Sequence, residues 1–142
     1  MHPTDTNRRL SPVGRAFGFP GAIAASLFVA ALLWFGSPLL LVSSLRNNQI
    51  EWTGNIAGLW PSPGIVPRLV LLRGNACRPH LVRALADPSR FAAAHVCLSF
   101  LDDGRSTGGS HFNGLAVDLW ADGRTVIPPS QKTTLIARWS PK

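Results

Sequence analysis

Four side chains in the stretch CRPHLVRALADPSRFAAAHVC, residues 77–97, are of types that do chemistry: Cys77, His80, His95 and Cys97. Together they offer the sulfur and nitrogen ligands of a zinc site. The first pair, Cys77 and His80, has a spacing zinc accepts. The second pair does not. Residues two apart on a helix point about 200° from each other, so His95 and Cys97 cannot both face one ion. No metal and no cofactor is therefore expected.

A disulfide between Cys77 and Cys97 is the other use of the sulfurs. Each cysteine lies ten residues from Asp87. An antiparallel helical hairpin turning at Asp87 brings both to one level, about 15 Å from the turn. Neighbouring helix axes lie about 8–10 Å apart, whereas bridged Cα atoms lie within about 7 Å. Cys77, in a loop ahead of Pro79, can close that gap. Two buried free thiols acting as small apolar groups are the competing reading, and both stay open.

The remaining catalytic candidates are thinner. Ser110 and His111 adjoin in GGSHFNG, but a nucleophile elbow needs glycine at position 112, where Phe112 stands. Asp102 and Asp103 begin like a calcium loop, yet Asn113 occupies the place of its bidentate glutamate. There is no glycine-rich phosphate cradle. No catalytic residue is assigned.

The elements that must position these groups follow from periodicity. IVPRLVLLRG reads as a helix with Ile65, Leu69 and Leu72 on one face and Gly74 as its stop. Pro79 suits a first helical position, and Leu81, Ala84 and Leu85 give that helix an apolar face. Asp87 is placed to cap the next helix, with Pro88 at its first position. Phe91, Ala94, Leu98 and Leu101 mark the buried stripe of that helix, and Gly104 its end. RSTGGSHFNG reads as a loop. LAVDLWADGRTVIP reads as two strands around an Asp-Gly turn. PPSQKTTLIARW closes the chain as a helix with Leu135, Ile136 and Trp139 inward. Residues 65–142 thus form a small α+β domain: a helical hairpin, a β-hairpin and a C-terminal helix.

The hairpin over residues 79–101 resembles a HEAT-type helical repeat. Pro79 and Leu81, then Leu85-Ala86-Asp87, match the first helix, and Phe91, Ala94 and Leu98 the apolar positions of the second. HEAT proteins are protein-binding scaffolds built from several stacked repeats, so the resemblance implies an interaction role, and a single unit lacks the concave surface.

Ahead of the domain the composition changes. From Ala16 to Leu45 thirty residues pass without an ionisable side chain. Gly21 to Val42 supplies the roughly 20 apolar residues that a hydrocarbon core about 30 Å thick requires. Residues 17–45 are expected to form one transmembrane helix, with Pro38 kinking its last turn rather than ending it. A cleavable signal peptide is the rival, with Arg8, Arg9 and Arg15 as its basic region. Four apolar residues after Pro38 and the poor site Val42-Ser43-Ser44 favour an uncleaved signal-anchor. The chain as a whole resembles small bacterial membrane proteins with one N-terminal span, a group that brings no activity with it; the inner membrane is the compartment this implies.

Residues 1–16 form a polar basic tail. Its three arginines, against Arg46 alone just after the span, place the N-terminus in the cytoplasm and the domain outside. Residues 46–64 read as an interfacial linker, with Trp52 and Trp60 as anchors in the headgroup layer or, equally, as core residues. The net charge of +7 is carried mostly by arginine. Arg68, Arg73, Arg78, Arg83 and Arg90 form no single stripe, and scattered tryptophans without tyrosine argue against nucleic acid. Docking on anionic headgroups is worth about 1 kcal/mol per basic residue.

The expectation is a single-pass membrane protein whose small non-enzymatic domain serves a structural or interaction role, with the lipid bilayer and an unidentified protein as partners. A thiol redox or metal protein using Cys77 and Cys97 is the first alternative. A basic cytoplasmic domain binding nucleic acid is the second, and it requires the reversed topology.

Overall fold

The computed structural model describes residues 18–55, 57–102, 106–117 and 129–140. The chain divides into two units, Met1–Leu33 and Trp34–Lys142.

The first described element, α1 (Gly18–Gly36), belongs to the first unit up to Leu33. It carries no charged residue, and its apolar side chains are not gathered on one face. Ile23, Leu27, Phe28, Val29, Leu32 and Leu33 are all between 52 and 66% exposed. Among the described residues no helix is long and apolar enough to cross a membrane; the uncharged run of the sequence begins at Ala16, outside them.

The helix expected over 17–45 is two helices. Ser37 is extended, with φ −90° and ψ 113°, and its hydroxyl caps α2 (Pro38–Ser43) by accepting from the Leu40 N–H at 3.4 Å. Proline at the first position suits a new helix better than the interior of an old one, because its missing N–H costs nothing there. Leu41 and Val42 are then buried in the core of the second unit. That core drive is why α2 separates from the run before it.

Trp34–Lys142 is a small α+β domain. Residues 46–64, expected as a linker, fold as a 3-10 turn at Asn47–Gln49 and an antiparallel hairpin, β1 (Ile50–Asn55) with β2 (Gly58–Pro63). Ile50 and Leu59 turn into the core. Gly64 closes the hairpin tightly: its N–H donates to Gln49 O at 2.8 Å, and a Cβ there would lie 2.9 Å from that same oxygen.

Next comes α3 (Ile65–Arg73), ended by Gly74 at φ 61°. Its boundaries match the periodicity, and the face it buries is not that of Ile65, Leu69 and Leu72. Pro67 and Val70 are buried, while Ile65 and Leu72 are 79 and 81% exposed. A second 3-10 turn, Gly74–Cys77, leads into α4 (Arg78–Ala84), with Leu81 and Ala84 inward as expected. After a turn over 85–90, α5 (Phe91–Leu101) runs through the centre. All nine residues from Phe91 to Ser99 are buried, a whole cylinder rather than a stripe. Ala92, Ala93 and Ala94 keep it thin enough for neighbours on every side.

Three short strands follow: β3 (Ser106–Gly108), β4 (His111–Phe112) and β5 (Leu115–Ala116), in antiparallel order. The stretch read as a loop is therefore sheet. Phe112 pairs with Leu115 across Asn113 and Gly114, whose φ values are 47° and 85°. Positive φ at both central residues defines the two-residue turn that Asn-Gly favours. The Asp-Gly turn expected at 122–123, Gly104 and Asp103 lie outside the described residues. The chain's last described element is α6 (Pro129–Trp139), with Leu135 buried and Ile136 and Trp139 packed on the core.

Candidate functional site

Asp87 was expected to cap α5, and it acts one turn too early. Its Oδ1 accepts from the Ser89 N–H at 2.9 Å and the Ser89 hydroxyl at 2.7 Å, and its Oδ2 from Arg90 Nε at 2.6 Å. These donors hold its carboxyl down to about 2. The helix starts at Phe91, beyond its reach. The cap comes instead from Asn47, whose Oδ1 accepts from the N–H groups of Ala92 at 2.9 Å and Ala93 at 3.3 Å. Asn47 Nδ2 also donates to Pro88 O at 2.7 Å, and its backbone N–H to Ser89 O. One asparagine thus fixes both the turn and the helix start.

Cys77 and Cys97 are free thiols here, each fully buried. Burial, with Cys77 adding to it, pushes the Cys97 thiol up to about 12, and burial raises Cys77 as well, against the opposing pull of Arg73. A thiol of that kind stays protonated at neutral pH and is a poor nucleophile. Among the described residues no three of His, Cys, Asp and Glu gather as a metal set. Trp52 is half-buried and meets Phe112 edge-on at 6.2 Å, whereas Trp60 remains 53% exposed. Ser110 and His111 are exposed at the β3–β4 turn.

A cleft of about 1010 Å³ lies where the start of α4, the end of α5, the β4–β5 turn and the end of α6 converge. Arg78 and Asp102 face each other in a two-bond fork, Nη1 to Oδ1 at 2.7 Å and Nη2 to Oδ2 at 2.8 Å. The fork lowers the Asp102 carboxyl and raises Arg78. Trp139 lies beside them, with the guanidinium carbons of Arg78 and Arg138 at 5.9 and 5.5 Å from its ring centre. Each such contact is worth roughly 0.5–1 kcal/mol at exposed sites. Arg138 also donates to Asn113 O at 3.3 Å, and Asn113 Nδ2 to Ser99 Oγ at 2.8 Å.

Beneath Trp139 sits His95, fully buried. Its Nδ1 accepts from the Trp139 indole N–H at 3.0 Å, which puts the ring proton on Nε2, 3.3 Å from Phe112 O. Burial above all, and the charge of Arg138, push its pKa down to about 4. A second proton has no place, because Nδ1 already faces a donor. His95 therefore holds Trp139 in position rather than moving protons. The cleft has cations, an aromatic face and one neutralised carboxylate, with the exposed Arg83 on its rim: it is equipped to bind an anionic or planar group.

No protein-family model, curated protein or solved structure matches this chain.

Proposed function

We propose that this chain is a single-pass membrane protein whose C-terminal α+β domain is a non-enzymatic interaction module. The observation that carries the first half is the exposure of α1. A helix of a small water-facing protein buries an apolar stripe; this one offers Ile23, Leu27, Phe28, Val29, Leu32 and Leu33 on several sides and no charge with which to face water. The thirty-residue uncharged run of the sequence extends it at both ends. A bilayer is the surrounding that suits such a helix. The second half rests on the cleft, whose arginines and Trp139 favour recognition, and the HEAT-like hairpin of residues 79–101 is consistent with a protein partner.

Arginine placement favours a cytoplasmic N-terminus. Cysteine labelling of the full chain tests this. The native thiols are buried, so Ser62→Cys on the exposed edge of β2 supplies a single reachable thiol. A membrane-impermeant maleimide should modify it in cells whose outer barrier is permeabilised while the inner membrane stays intact. Labelling only after the inner membrane is broken would reverse the orientation.

A further inference from the structure

The cleft beside Trp139 carries more positive charge than its own carboxylate answers. Arg78, Arg83 and Arg138 line it against Asp102 alone among the described residues. Asp102 takes up Arg78 in the two-bond fork, so the charges of the other two arginines are unmatched. The Arg138 guanidinium stands 5.5 Å from the Trp139 ring centre, and Nη1 reaches Asn113 O. Those contacts fix its place in the cleft without neutralising it. Arg83 is exposed and makes no ion pair or hydrogen bond among the described residues. The lining between the cations is mixed. Pro79, Val82 and the Trp139 ring give it apolar surface. Asn75 is exposed, and its side-chain amide, without a partner among the described residues, can both donate and accept. At about 1010 Å³ the cleft sits at the upper end of the roughly 300–1,000 Å³ of ligand pockets, so a single inorganic anion would leave most of it empty. Nucleic acid fits poorly. Bases stack on open aromatic faces, and Trp139, the one aromatic residue lining the cleft among those described, already meets two guanidiniums.

We infer that this cleft binds an acidic peptide segment of a partner protein, with Arg83 and Arg138 each receiving a carboxylate and Pro79, Val82 and Trp139 meeting the apolar surface between them. Asn75 suits a peptide bond, the group that pairs a donor with an acceptor. Asp102 is the competing carboxylate already present: it keeps Arg78 occupied, and removing its charge opens that arginine to the ligand as well. The inference rests on the interaction-module reading above and names the chemistry of the partner. It uses residues of the Trp34–Lys142 unit alone, so it holds whatever surrounds α1.

The test uses the full chain in a non-ionic detergent and a fluorescein-labelled octapeptide alternating glutamate with leucine, with binding read by fluorescence anisotropy. The same peptide with glutamine for glutamate is the neutral control. The acidic peptide should bind roughly tenfold more tightly, the combined worth of two exposed ion pairs. Arg83→Gln, at an exposed position without a partner, and Arg138→Gln should each weaken it roughly fivefold, the upper end for one such pair. Arg68→Gln removes the same charge outside the cleft and should leave binding unchanged. Asp102→Asn should tighten it. Equal binding of the two peptides, or an equal loss in Arg68→Gln, would overturn the inference. A chain that keeps its native circular dichroism and binds neither peptide overturns the inference alone. Displacement of the acidic peptide by an equal concentration of citrate would reassign the cleft to a small polyanion, and the interaction-module reading would fall with it.

Discussion

At the scale of single residues, His95 and Asn47 explain most about how the candidate cleft is held. The folded His95 has its pKa lowered to about 4, against about 6.5 in an unfolded chain. The unfolded state therefore binds the extra proton between these values. Stability attributed to neutral His95 is complete above pH 6.5 and is lost as pH falls toward 4, on the order of 3 kcal/mol in all. Urea unfolding at pH 7 and pH 4.5 should show this drop, and His95→Gln should flatten the slope in that window. Asn47 carries a different load, two helix N–H groups and two carbonyl contacts from a distance of about 45 residues. Asn47→Ala should cost about 1–2 kcal/mol, measured as a shift in the urea midpoint at unchanged slope. Asp87→Ala disturbs only the turn ahead of α5, so its effect should be the smaller of the two.

At the scale of elements, the sequence was legible where proline and helical periodicity agree. α4, α5 and α6 fall within the expected segments, with Leu81, Ala84, Phe91, Ala94, Leu98 and Leu135 all buried. The hairpin of β1 and β2 was not legible. Pro61 and Pro63 deny β2 two backbone donors, Gly54 and Gly58 weaken the strand pattern, and the turn between the strands lacks an Asn-Gly or Asp-Gly pair. Which face of α3 is buried was not legible for another reason. Ile65, Leu69 and Leu72 make the neater stripe, but the neighbours of α3 bury Pro67 and Val70 instead. The Asn113-Gly114 turn carried a readable signal that the surrounding glycines and serine masked. Gly114→Ala should be strained by its φ of 85°, while its Cβ would make only ordinary contact, 3.4 Å, with Leu135 Cδ2. A loss of about 1–2 kcal/mol follows, and thermal unfolding measures it. The cleft itself was invisible, because Arg78, Asp102, Asn113 and Trp139 come from four separate elements. Only the arginines hinted at it, and arginine is common throughout this chain.

For the whole molecule, the decisive relation is between a hydrophobic segment and a domain that folds around one buried helix. The thiols of that helix report on it: Cys97, and Cys77 close by, should react with maleimide only after the domain is denatured, whichever compartment holds it. Rapid labelling of the native chain would mean that α5 is not enclosed. The central claim concerns the segment itself, and extraction of whole-cell membranes with alkaline carbonate, followed by flotation, tests it most directly. The full chain should float with the lipid, and Leu27→Arg with Leu32→Arg should release it, since each arginine adds about 2.5–3.5 kcal/mol to the cost of insertion. Recovery of the unsubstituted chain in the carbonate supernatant would contradict the account.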